Sequence, residues 1–159
     1  METLISIGHR NHRLSKYPDI NSKIIDFYTS IIETQQPQII VSTLTPGADF
    51  LLAETAFVLR IPYAVYLPYE NTSRNFTHDL KRRYNQLLKN AYKVSYTSKG
   101  SFTPDKVKFN INYIIDKSTK CAFVWDGSPG VVKNYVFRLI KTDKFLSVFD
   151  PNTNEIISR

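Results

Sequence analysis

Cysteine is nearly absent from this chain. Cys121 is the only one, so no internal disulfide can form and no metal site built on several thiolates is available. Histidine is scarce as well: His9, His12 and His78 are the only three, and neither a cysteine–histidine cluster nor a His-Glu-x-x-His pattern occurs. There is no Gly-x-Ser-x-Gly elbow and no P-loop lysine, which leaves covalent serine or cysteine catalysis without support. No stretch approaches the roughly 20 apolar residues of a membrane span. Met1-Glu2-Thr3 carries no basic region ahead of its short apolar run, so the expectation is a cytoplasmic protein with no membrane partner. No cofactor and no metal is implied, and no residue stands out as catalytic. Cys121, set in an apolar run, reads as a buried, reduced core residue.

What is present points to one α/β domain. A chain of 159 residues can bury a proper core, since domains of about 150 residues bury roughly 70% of their unfolded surface. Strand and helix signals alternate from end to end: strands at 4–8, 38–43, 63–67, 93–97, 120–125 and 145–149, helices at 20–33, 48–60, 77–91, 104–117 and 131–142. Thr77 and Pro104 mark two of the helix starts. Such alternation demands a mostly parallel, doubly wound sheet with right-handed crossovers and helices on both faces, a Rossmann-like architecture. Residues 1–150 form the domain, and 151–159 remain as a tail or a short extra strand.

The net charge of +7 is concentrated. Residues 74–108 hold nine basic side chains against Asp79 and Asp105, a surplus of seven, whereas the rest of the chain is balanced at twelve of each sign. Such a segment is either a solvated helix face or a weak nucleic-acid patch, and no aromatic-rich binding motif is evident beside it.

The strongest local signal is residues 121–130, Cys-Ala-Phe-Val-Trp-Asp-Gly-Ser-Pro-Gly, an apolar strand that breaks at Asp126-Gly127 and restarts as a helix after Gly130. A strand, a small-residue turn and a helix N-terminus bring free backbone N–H groups together, which suits a ligand bearing phosphate or ribose. In a doubly wound sheet the ligand lies beyond the strands' carboxyl ends where strand order reverses. The first strand must be central for that reversal to occur. The rim loops are then residues 8–10, 43–49, 68–71, 98–103 and 126–130. On them Gly8 would let the backbone approach a ligand, and Arg10 could fork onto a phosphate or pair with a surface carboxylate. His9 could donate to a phosphate or ribose oxygen, or merely order its loop. Asp49 and Glu54 could bind ribose hydroxyls, although Asp49 also suits a helix start without any ligand.

The succession Gly8-His9-Arg10, Pro46-Gly47-Ala48-Asp49 leading into Ala53-Glu54-Thr55-Ala56, Ile61-Pro62 before Leu67-Pro68-Tyr69-Glu70, Arg83-Tyr84 and Trp125-Asp126-Gly127 resembles the YpsA-like branch of the SLOG superfamily. That superfamily also holds the DNA-processing protein DprA and the LOG phosphoribohydrolases. The resemblance covers roughly residues 5–151. It implies a homo-oligomer whose pocket takes a nucleotide-derived small molecule such as ADP-ribose or an NAD fragment, for sensing or sequestration. The implied wall is Gly8, His9, Arg10, Pro46, Gly47, Asp49, Glu54, Glu70, Asp126, Gly127, Ser128 and Gly130. LOG enzymes carry a Pro-Gly-Gly-x-Gly-Thr loop followed by a catalytic glutamate, whereas the matching place reads Ser128-Pro129-Gly130-Val131-Val132-Lys133-Asn134. Both the paired glycine and the acid are missing, so acid–base work on an N-glycosidic bond would fall to Asp126 or Glu54. Hydrolysis of a nucleotide N-glycosidic bond and DprA-like nucleic-acid binding through residues 74–108 are the alternative functions.

Overall fold

The computed structural model describes residues 1–158. The elements follow in the order β1 (Thr3–Gly8), α1 (Asn11–Leu14), α2 (Ile20–Gln35), β2 (Ile39–Ser42), α3 (Ala48–Leu59), β3 (Tyr63–Leu67), α4 (His78–Asn90), β4 (Lys93–Tyr96), α5 (Pro104–Lys117), β5 (Lys120–Val124), α6 (Val131–Leu139), β6 (Phe145–Phe149) and β7 (Ile156–Ser158). They build one sheet in the order β4-β3-β2-β1-β5-β6-β7, parallel except for β7, which runs antiparallel to β6. The α/β, Rossmann-like expectation holds, with β1 central and strand order reversing between β1 and β5.

Covering both faces explains why the inner strands read as continuous apolar runs rather than as alternation. Every residue of β3 is buried, and Cys121 to Val124 of β5 are fully enclosed. One core layer joins the β-sheet to α2, α3 and α4 through Ile24, Phe27, Leu52 and Leu87. The other joins it to α5 and α6 through Ile114, Ile115, Val136 and Leu139. Helix starts follow their sequence signals: the Thr77 and Thr103 side chains accept from the Leu80 and Lys106 N–H groups, and Pro104 occupies the first turn of α5.

Two departures from the sequence reading matter. Helix α6 stops at Leu139 rather than at 142. The four-residue α1 carries no readable apolar period, because Leu14 is its only buried side chain.

Candidate functional site

The reversal between β1 and β5 brings three loops to one place. The His9 N–H donates to the Val124 carbonyl at 3.1 Å, fastening the loop after β1 to β5. On the other side, the Ala48 N–H donates to the His9 carbonyl at 3.1 Å and the Asn11 N–H to the Pro46 carbonyl at 3.2 Å, while Arg10 and Gly47 form an antiparallel bridge. Close approach dictates the glycine at each joint. A Cβ on Gly8 would lie 2.6 Å from the Ala48 Cβ and 2.9 Å from that of Val124, so this glycine lets β1 pass between α3 and β5. Gly47, at φ 130°, faces the backbone of His9 and Arg10 in the same way.

Beyond this junction lies a cavity of about 420 Å³. Ile7, Ile111, Ile114 and Tyr135 supply its apolar wall, and Ser6, Thr43 and Thr45 add hydroxyls. Gly8, His9, Arg10, Pro46, Asp49, Ser128 and Gly130 line it. Asp126 sits behind that lining, bonded to His9 and Ser128. Gly47 and the exposed Gly127 are not part of it, although Gly47 holds it by its bridge to Arg10. Glu54 and Glu70 lie elsewhere: Glu54 grips Arg83 through both guanidinium nitrogens Nε and Nη2 between α3 and α4. The Glu70 N–H donates to the Gly100 carbonyl at the β3–β4 rim.

Asp126 organises the wall from behind. Its carboxylate accepts from the Tyr17 hydroxyl at 2.7 Å, from the Ser128 N–H at 3.0 Å and from the Ser128 hydroxyl, and Arg13 Nε stands 4.0 Å away. Burial alone would raise its pKa, but the hydrogen bonds from Ser128 and Tyr17 together outweigh burial and hold it well below the usual carboxylate range. His9 Nε2 lies 3.0 Å from the Asp126 Oδ1 and 3.1 Å from its backbone nitrogen, and one ring nitrogen can serve only one of them at a time. The ionised carboxylate favours the proton on Nε2. Burial lowers the His9 pKa despite the pull of Asp126. Trp125 Nε1 donates to the Ser128 carbonyl at 2.8 Å and completes the loop.

Asp49 is the other buried acid. At the second position of α3 it accepts from the Ser42 hydroxyl and from the Thr43 N–H, each at 2.9 Å, so it closes the turn after β2. Burial, opposed by these hydrogen bonds, pushes its pKa up to about 6. A pKa raised in the folded state stabilises below the unfolded value and that benefit disappears as pH rises through 6. The unfolding free energy of the native protein minus that of Asp49→Asn should therefore fall by about 2 kcal/mol between about pH 4 and pH 7.5. Urea titrations across that range check it. Subtracting the variant removes the opposite contribution of His9, whose lowered pKa favours folding as pH rises.

The cavity mouth is cationic. Arg10 is exposed and makes no ion pair among the described residues, and Arg13, His12 and Lys133 stand around it. Gly130 to Lys133, at the start of α6, also line the cavity. Their first N–H groups precede the earliest intrahelical bond, from the Asn134 N–H to the Gly130 carbonyl.

The model of the YspA SLOG family matches residues 5–150. This chain belongs to the YspA SLOG family. No curated protein matches it. In this SLOG protein the match spans β1 to β6 and takes in every loop of the cavity. Sequence reasoning did not single out Arg13, Tyr17 or Lys133. The first two depend on the unrecognised α1, whereas Lys133 stands three residues past Gly130 at an evident helix start.

Proposed function

We propose that this SLOG protein binds a nucleotide-derived small molecule of ADP-ribose or NAD-fragment type in the β1/β5 cavity and holds it for sensing or sequestration. The observation that carries the reading is the composition of that cavity: an apolar wall and a row of hydroxyls, lined as well by Arg10, Arg13, Lys133 and the first residues of α6. Anionic phosphate suits the mouth, by charge and by the partial positive charge of the helix start. Ribose and base suit the interior, and about 420 Å³ lies within the roughly 300–1,000 Å³ of small-molecule sites.

Binding is favoured over N-glycosidic hydrolysis because the acids near the cavity are already engaged. Asp126 serves His9, Tyr17 and Ser128 from behind the wall, Asp49 is turned back onto β2, and Glu54 is held by Arg83. A general acid must reach the leaving group with a free carboxyl; Asp126 and Glu54 lie off the lining, and Asp49, which does line the cavity, has both carboxylate oxygens taken up by Ser42 and Thr43.

ADP-ribose at 100 times its dissociation constant should add about 2.7 kcal/mol and raise the melting temperature by several degrees. Arg10→Ala should weaken ADP-ribose binding roughly 10- to 150-fold while leaving the unfolding free energy within about 0.5 kcal/mol, because its side chain is exposed. Calorimetry on both proteins checks this. Melting curves unmoved by a millimolar nucleotide panel would overturn the binding reading, and release of free base at about 1 s⁻¹ or faster would replace it with the hydrolase.

A further inference from the structure

The basic segment divides between the two faces of the sheet, since α4 packs on one and α5 on the other. On α4 two of its four basic residues are spent in local pairs: Arg82 and Arg83 both meet Asp79, and Arg83 also holds Glu54. The α5 side is different. Lys106, Phe109, Tyr113 and Lys117 are spaced three, four and four residues apart, which places them on one helix face. The adjoining flank supplies Asn110, Ile114 and Ile115 to the interior.

Phe109 is 54% exposed and Tyr113 37%. They are arranged as a platform. The Phe109 and Tyr113 rings stack at 6.4 Å with an interplanar angle of 27°, and Tyr113 rests against Tyr66 of β3 at 5.4 Å. Lysines flank it: Lys117 Nζ lies 5.0 Å from the Tyr113 ring centre, and Lys93 Nζ lies 5.6 Å from that of Tyr66. Strand β4 is the edge of the sheet, so no further strand lies beyond Lys93 among the described residues. Phe102, 56% exposed and edge-on to Tyr69, extends the aromatic surface past the start of α5. Five lysines (93, 99, 106, 108 and 117) outnumber the two acids of α5, Asp105 and Asp116.

We infer that the α5–β4 edge binds single-stranded nucleic acid without sequence preference, independently of the small-molecule cavity. Exposed aromatic planes beside ammonium groups match what a single strand offers, base faces for stacking and phosphates for pairing. A duplex keeps its base faces stacked inside, so it can use only the lysines. The exposed Phe109 and Tyr113, which adjoin the basic segment in the chain, thus stand beside Lys117, with the buried Tyr66 packed against Tyr113.

The test is fluorescence anisotropy of the full chain with a labelled twenty-nucleotide oligothymidine and with a duplex of equal length. Phe109→Ala/Tyr113→Ala should lose roughly 10- to 100-fold in affinity for the single strand, as expected for the removal of stacking contacts, and little for the duplex. Lys93→Gln/Lys117→Gln should lower the slope of log affinity against log salt by about 1.4, and Lys81→Gln/Lys89→Gln on α4 should leave it unchanged. Arg10→Ala should bind the oligonucleotide as the native protein does, which separates this site from the cavity. Both aromatic positions are surface sites, and an unchanged melting temperature verifies the fold of each variant. Absence of binding at low salt, equal affinity for duplex, or indifference to the aromatic pair would overturn the inference. So would sedimentation showing that Phe109→Ala/Tyr113→Ala dissociates a dimer, since the stripe would then be covered by a second copy of the chain.

Discussion

Gly47→Ala is expected to destabilise the protein by about 3–5 kcal/mol, a large fraction of the 5–15 kcal/mol that holds a domain of this size together. Two costs combine. Gly47 sits at φ 130°, a conformation essentially reserved for glycine. An added Cβ would also lie 2.5 Å from the His9 carbonyl oxygen and 2.7 Å from the Arg10 Cα. These are backbone atoms of a loop held on both sides, so relief requires breaking the hydrogen bonds between Ala48 and His9 and between Asn11 and Pro46. Gly127 is the matched control: its φ is also positive, at 84°, but no atom lies within 4 Å of where a Cβ would stand. Gly127→Ala should cost only about 1 kcal/mol. Urea denaturation of the two variants decides the matter, and equal losses would refute the close-packing account of the junction.

Removing the Asp126 carboxylate should cost about 3 kcal/mol and disorganise the cavity wall. Asp126→Ala leaves the Tyr17 hydroxyl, the Ser128 N–H and the Ser128 hydroxyl without their acceptor, and deprives His9 of its anchor. Part-buried donors left unpaired cost up to about 1–3 kcal/mol each before relaxation. The pH dependence follows from the depressed carboxylate. A pKa lowered in the folded state adds stability above the unfolded value and loses it as pH falls toward the folded one. Asp126→Asn should therefore show a shallower loss of stability than the native protein below about pH 4, the ordinary carboxylate range. Because Asp126 lies behind the lining, its variants should weaken ADP-ribose binding through the positions of His9 and Ser128. Restoring affinity without restoring stability would contradict that role.

The legibility of the site follows the range of the forces that build it. Asp49 was readable as a helix-start acid, and it occupies that position, but its hydrogen bonds to Ser42 and Thr43 depend on how tightly the turn after β2 closes. Glu54 and Glu70 share rim-proximal sequence positions with the cavity residues. Glu54 nevertheless points toward α4, because a helix distributes neighbouring residues around its axis and Arg83 meets that face. Asp126 stood out as a strand-end acid, yet its engagement with Tyr17 joins positions 109 residues apart.

By itself the sequence determined the fold class, the central place of the first strand and the loops that share its rim. Period and turn chemistry are local properties, and parallel crossovers of one hand leave few ways to arrange the result. Only the tertiary structure decided which acids face the cavity, that Gly8 and Gly47 are demanded by contacts between chain segments, and that Phe109 and Tyr113 stand open beside Lys117. The direction of a side chain and the identity of its partner are settled by packing between distant elements, and no local pattern encodes them.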